Sequence, residues 1–389
     1  VGFDSGSFSF QMYRVAGGSS PLDQGLLDRF AGHTIAAEAI GLPPEVEWGW
    51  CTGRSVLDVG FSFDRNVFNG ALSLGLRVDT NKVPGPIKRA WLTAEQDLLA
   101  AGNPSGFISK AQRSAAKEKA RRTAEDELRS GRHRRSAMHA VLWDHEGHVV
   151  YGPASASVGQ KLCELFERTT LIPLEIVTSG WFAESLVENL REDAAWANLR
   201  PTPFFPPQAE QQADYPWTSK GASPRDYVGN EFLLWLWHAA EEAGGVRFGD
   251  QHVSVLVDSG AKLDCAFGAS GRDTVINDTP GRAGEVFEAL RAGKVPRQLG
   301  LALERGGHYY NCVLTGESLA VKGLRLPDVD EADNPRTLFE ERVTLLRDFT
   351  RLLTDVFAAF LRRRLTADDW EADVRAIRKW VNAAGQRVG

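Results

Sequence analysis

Between Lys110 and Arg135 the chain carries ten basic and four acidic residues, and this concentration of cations is its best-equipped stretch for chemistry with another molecule. At about 100° per residue, Lys110, Arg113, Lys117 and Arg121 fall within about 80° of one another on a helix. The spacing makes one cationic stripe, suited to neutralising phosphates. The acids gather at Glu125–Glu127, so the stripe is expected to lack the i,i+4 carboxylates that usually balance a solvated helix face. Arg132, Arg134 and Arg135 continue the positive charge past the helix end, in a loop expected to reach a phosphate backbone.

Other residues with chemical potential have simpler explanations. His145 and His148 with Asp144 and Glu146 make an HxxH without a fixed third ligand, and the polarity of a hairpin tip accounts for them. Asp258 and Asp264 flank an expected strand turn and could form an acid pair for metal-dependent nuclease work. Cys51, Cys163, Cys265 and Cys312 are scattered, with no CxxC, and read as small buried hydrophobes in a reducing compartment. No Walker A, GxGxxG, GxSxG or HExxH sequence occurs, so no cofactor and no catalysis is expected.

The elements that must position the stripe can be read from periodicity. Strands are expected at Phe8–Val15, Glu47–Cys51, Val59–Phe63 and Ala71–Val78. Pro84 and Pro86 then start a helix running to Gly102, and the basic helix follows from about Ile108 to Leu128. Ala137–Trp143 and His148–Tyr151 form a hairpin, followed by a helix at Val158–Arg168 and a strand at Pro173–Val177. The second half opens on a helix at Asn230–Ala243. Strands His252–Asp258 and Lys262–Phe267, joined by a turn at Ser259–Ala261, come next. A helix at Arg282–Ala292 and a meander through Leu299–Glu304, Tyr309–Leu314 and Ser318–Val321 follow. Leu345, Phe349, Leu352, Val356 and Phe360 mark a long amphipathic helix, and Thr366 with Asp369 is expected to cap a last one.

This order gives an α+β fold with mixed sheets and long helices. The expected regions are 1–195 with the basic helix, a Pro-rich linker or insertion at 196–229, a second α+β region at 230–330, and C-terminal helices at 331–389. The formal net charge of −6 over 389 residues hides a polarised molecule, about +6 in Lys110–Arg135 and −12 elsewhere. The longest apolar run, Phe232–Trp237, is far too short to span a bilayer. The first residues lack the pattern of a secretion signal, so a cytoplasmic location is expected.

Several segments recur in one order: Lys82-Val-Pro-Gly-Pro-Ile-Lys88, the charged helix, Trp143-Asp144, Gly152-Pro-Ala-Ser155, Ile172-Pro-Leu174, and Leu290-Arg-Ala-Gly-Lys-Val295 before a strand. In this the chain resembles the recombination-associated protein RdgC family, as a longer and divergent member. The resemblance implies a ring-shaped homodimer that encircles duplex DNA without sequence preference, a nucleoid location, and restricted access for the RecA recombinase. The family's DNA contacts near the last junction are not carried over, because Val275–Thr279 holds no Lys or Arg; the nearby cations Arg282, Lys294 and Arg297 are the further candidate DNA contacts. The expected function is therefore non-enzymatic DNA binding that modulates homologous recombination. The rivals are a nuclease built on Asp258 and Asp264, and a module docking an acidic protein.

Overall fold

A computed structural model of the chain describes residues 2–17, 20–35, 44–208, 210–218, 223–268, 272–275, 284–329 and 334–384. The first half runs β1 (Phe8–Val15), α1 (Gln24–Ala31), β2 (Val46–Cys51), α2 (Phe63–Asn66), β3 (Val67–Phe68), β4 (Ala71–Asn81), α3 (Gly85–Ala101), α4 (Lys110–Arg129), β5 (Arg134–Asp144), β6 (Val149–Gly152), α5 (Ala156–Thr170), β7 (Leu174–Ile176), α6 (Ser179–Leu190) and α7 (Asp193–Ala197). The second runs α8 (Tyr227–Ala243), β8 (Gly245–Phe248), β9 (Gln251–Cys265), β10 (Arg272–Val275), α9 (Gly284–Arg291), β11 (Lys294–Arg305), β12 (His308–Thr315), β13 (Val321–Arg325), α10 (Pro335–Leu365) and α11 (Ala367–Ala384).

The fold is α+β. Its strands join into one sheet in the order β10-β9-β11-β12-β13-β1-β6-β5-β4-β2, with β3, β7 and β8 pairing onto its sides. The ladders between these strands are antiparallel. β1 makes the junction: Phe8 and Phe10 pair with β13, while Gln11–Arg14 pair with β6. The Gln11 side chain is buried, and its amide donates to the carbonyls of Val177 and Ser318, at 2.8 Å each.

Period-two alternation sends alternate residues to opposite faces. Phe10, Leu142, Tyr151, Leu301, Leu303 and Tyr310 belong to one continuous core beneath α8 and α10. Tyr13, Leu74, Leu76, Val141, Trp143 and Val150 belong to a second core under α1 and α5. α10, 31 residues long, reaches both halves: Arg347 grips Asp144 at 2.7 and 3.1 Å, and Arg305 of β11 grips Asp355 at 2.7 Å. α8 is buried from Tyr227 to Trp237, which explains why its segment Phe232–Trp237 is apolar on every side rather than amphipathic. A Cβ at Gly229 would stand 1.9 Å from the Gly316 carbonyl oxygen, so only glycine allows the helix to meet that turn backbone to backbone.

Four local expectations fail. The last meander strand, expected at Ser318–Val321, runs over Val321–Arg325, after a turn at residues 316–318. Residues 59–62 form no strand, and α2 starts at Phe63. There Asp58 accepts from the Gly60 amide and pairs with Arg65, and Asn66 accepts from the Ser62 amide, so side-chain turn chemistry overrides the β-rich composition. The expected turn at Ser259–Ala261 is an irregularity inside the single strand β9: Leu299 pairs with Ala261, but Leu301 pairs with Val257. Gly260, at φ +109°, absorbs it. Thr366 does not supply the expected cap, because its hydroxyl donates back to the Arg362 carbonyl at 3.0 Å. Helices α1 and α6 are additional to those read from periodicity. Within 196–229, Phe204 and Tyr215 are buried in the main core.

Replacing Gln11 with Leu leaves the Val177 and Ser318 carbonyls without their donor at the seam between halves. Unfolding in urea is expected to show a loss of about 2–3 kcal/mol, whereas a loss below about 0.5 kcal/mol would show that the amide does not hold the seam.

Candidate nucleic-acid interface

α3 and α4 form a helical hairpin joined through Gly102–Ser109. The first turn of α4 is fixed by a capping box: Ser109 Oγ accepts from the Gln112 amide at 3.2 Å, and Gln112 Oε1 accepts from the Ser109 amide at 2.9 Å. Ala116, Ala120, Ala124 and Leu128 recur every fourth residue and are all buried. This is one seam, and its small side chains allow close packing on α3. Val83, Ile87 and Trp91 pack against the Ala124–Leu128 end. Lys119 Nζ bridges to Glu95 of α3 at 2.8 Å, and Asn81 Nδ2 donates to the Leu128 carbonyl at 2.9 Å. Alanines thus anchor a helix that has almost no large apolar residue. α3 itself buries no residue, and Leu98 and Phe107 near the tip are 65% and 81% exposed.

Beside the seam, Lys110, Arg113 and Lys117 are exposed. Among the described residues no carboxylate lies within ion-pair distance of any of them. Arg121 departs from expectation. It pairs with Glu118 at 2.6 Å and with Glu125, while Glu118 also takes Arg122 at 3.1 Å. The i,i+3 and i,i+4 partners therefore exist at this end of the stripe. Hydrogen bonds from Arg121 and then Arg122 hold the exposed Glu118 carboxyl down at about 2.

The Arg132–Arg135 segment is also divided. Arg132 pairs with Glu127 at 2.8 Å. Arg134 opens β5 instead of lying in a free loop, opposite Asn81, and meets Asp79 at 2.6 Å. Asp79 is buried and also takes Arg77 at 2.6 Å. Burial alone would raise the Asp79 pKa, but hydrogen bonds from Arg77, Ser136 and Arg134 outweigh it and hold the carboxyl below its ordinary range. Arg134 is a structural cation at the hairpin base. Arg135 is exposed, with no carboxylate in ion-pair range among the described residues. The set expected from the sequence reduces to four uncompensated cations: Lys110, Arg113, Lys117 and Arg135.

The remaining candidates do not join them. Arg282 lies outside the described residues. Lys294 opens β11 opposite Cys265. Arg297, also on β11, pairs with Asp264 at 2.9 Å and with Glu317, and lies 5.1 Å from the Trp217 ring centroid. β11 stands five strand spacings from β5 in the sheet, roughly 24 Å along it. Asp258 and Asp264 lie six residues apart on the one strand β9, at most roughly 20 Å in extended chain and less by the irregularity at Gly260. That separation does not suit one shared ion, and Arg297 already engages Asp264. At the β5–β6 turn Asp144 is committed to Arg347, and His145 stacks on Trp143 with centroids 4.0 Å apart. Among the described residues no group of three His, Cys, Asp or Glu is placed to hold a metal ion, and no helix is long and apolar enough to cross a membrane.

The sequence signal for the Glu118–Arg121–Glu125 pairing was present in its spacing. The role of Asp79 was not, because it faces Arg134 across 55 residues of chain. No protein-family model matches this chain, and no curated protein matches it.

Burial lowers the His145 pKa from 6.5 to about 4, and Nε2 is buried without a hydrogen-bond partner among the described residues. Between those pH values the unfolded chain binds a proton that the folded chain does not, so stability falls as pH drops from 6.5 toward 4. His145→Phe, which keeps a ring on Trp143, is expected to remove about one proton from that slope. An unchanged slope in pH-dependent urea unfolding would show that His145 is not the group responsible.

Proposed function

We propose that this chain is a non-enzymatic DNA-binding protein that holds duplex DNA, without sequence preference, along the exposed flank of α4. The observation that carries the reading is the row Lys110, Arg113 and Lys117: cations over two helical turns, with no carboxylate in range among the described residues. Arg135 adds a fourth at the hairpin base. A row spanning seven residues covers about 10 Å, and cations so placed bind phosphates by charge and counterion release rather than by reading bases.

The motif order that resembles the RdgC family supports the same reading. It adds three proposals: a ring-shaped homodimer, a nucleoid location, and modulation of homologous recombination through competition with the RecA recombinase for duplex. A nuclease using Asp258 and Asp264 is not favoured, since the two carboxylates are far apart on one strand. Docking of an acidic protein is the second reading, favoured by Leu98 and Phe107 exposed near the cations. It would show as DNA-independent co-purification of an acidic partner.

With four phosphates neutralised per chain, log K should fall with log salt at a slope of about −3.6 for one bound chain and about −7 for the proposed dimer. Lys110→Glu, Arg113→Glu and Lys117→Glu together should abolish retention of a random 30-base-pair duplex, whereas Arg121→Gln, already balanced by Glu118 and Glu125, should weaken it less than about threefold. Salt-independent binding, or a triple variant that binds like the wild type, contradicts the proposal.

A further inference from the structure

We infer that the cavity where residues 195–203 cross the corner between α10 and α11 is a binding site for a phosphomonoester of mononucleotide size. Its volume is about 690 Å³, within the range of small-molecule sites. Leu199, Pro201, Trp370 and Val374 give it an apolar wall. Four arginines line it, Arg200, Arg364, Arg375 and Arg378, with one acidic residue, Glu371.

The charges leave a definite remainder. Arg364, 7% exposed, is neutralised by the fully buried Glu231 at 2.6 Å, and Arg375 pairs with Glu371 at 3.5 Å. Arg378 donates from Nε and Nη2 to the carbonyls of Phe204 and Pro203, at 2.7 and 2.8 Å. Those acceptors are neutral, and among the described residues no carboxylate pairs with it, so its charge stays uncompensated there. Arg200 is exposed, and among the described residues no carboxylate pairs with it. Two positive charges therefore remain beside an apolar wall, matching a phosphate monoester that carries close to −2 at neutral pH and an organic body that can lie on the wall. Arginine also offers the forked donors that phosphate oxygens accept.

Besides Arg378, which braces Pro203 and Phe204, the loop is held in place by groups other than the proposed ligand contacts. Thr202 donates its amide to Glu231 at 2.6 Å and accepts from Trp370 Nε1 at 2.9 Å, and Arg364 Nη2 donates to the Arg200 carbonyl at 2.6 Å. The cavity is thus formed before any ligand arrives. The same phosphomonoester is presented by a free nucleotide or by the 5′-phosphate of a DNA end. The site is independent of the α4 row, so either can fail without the other.

Calorimetry with AMP and with adenosine tests it, alongside anisotropy with 5′-phosphoryl and 5′-hydroxyl oligonucleotides of one sequence. AMP is expected to bind at least about tenfold more tightly than adenosine, and Arg200→Gln, which removes no described side-chain contact, to lose about tenfold with an unchanged Tm. A preference for the 5′-phosphoryl strand that Arg200→Gln removes, without AMP binding, assigns the site to strand ends and supports it equally. Equal binding of AMP and adenosine together with equal binding of the two strands, or wild-type phosphate preference in Arg200→Gln, overturns the inference.

Discussion

The fold turns on β1, which is shared by two sets of strands. An eight-residue strand pairs first with β13 and then with β6, so the sheet runs unbroken between halves that lie far apart in sequence. At the change of partner sits Gln11, whose buried amide satisfies one carbonyl from each side. Buried polar groups need such partners, and here the amide joins a carbonyl from each half. α10 then lies across the joint, tied by Arg347 to Asp144 and by Asp355 to Arg305. The tie to Asp144 fixes one end of the β4–β5 ladder, and the α3–α4 hairpin departs from the opposite end, where Asn81 faces Arg134.

The hairpin's character follows from its alanines. A seam of Ala116, Ala120 and Ala124 holds α4 on α3 while burying little area, which leaves the flanking positions to solvent and to the long cations. Charge is then distributed unevenly along the helix. Toward the start, Lys110, Arg113 and Lys117 have no carboxylate within range among the described residues. Toward the end, Glu118, Glu125 and Glu127 balance Arg121, Arg122 and Arg132. A surface that was one stripe by helical projection is thus a free row followed by a self-paired segment, and only the former has charge to offer a polyanion without first giving up a partner.

Much of this was legible where the signal is local. β1, α3, α4, the β5–β6 hairpin and the amphipathic α10 follow from periodicity, prolines and turn residues within a few positions of each other. What could not be read depends on distant partners or on side-chain turn chemistry. Asp58 and Asn66 fold 58–66 into a turn and a short helix despite a β-rich composition. Gly260 lets β9 continue where a turn was expected. Arg134 looked like a free loop cation because its partner, Asp79, is on a neighbouring strand. The cavity arginines at 200 and 378 share no sequence pattern, since tertiary packing alone brings them together.

The central claim is that the free row on α4 is the surface that meets DNA. A photo-crosslinking residue placed at position 113, with a second variant carrying it at position 304 on the far part of the sheet, tests this most directly with a random-sequence duplex. The account predicts salt-sensitive crosslinks from position 113 and none from position 304. Crosslinks from position 304 with none from position 113 would contradict it.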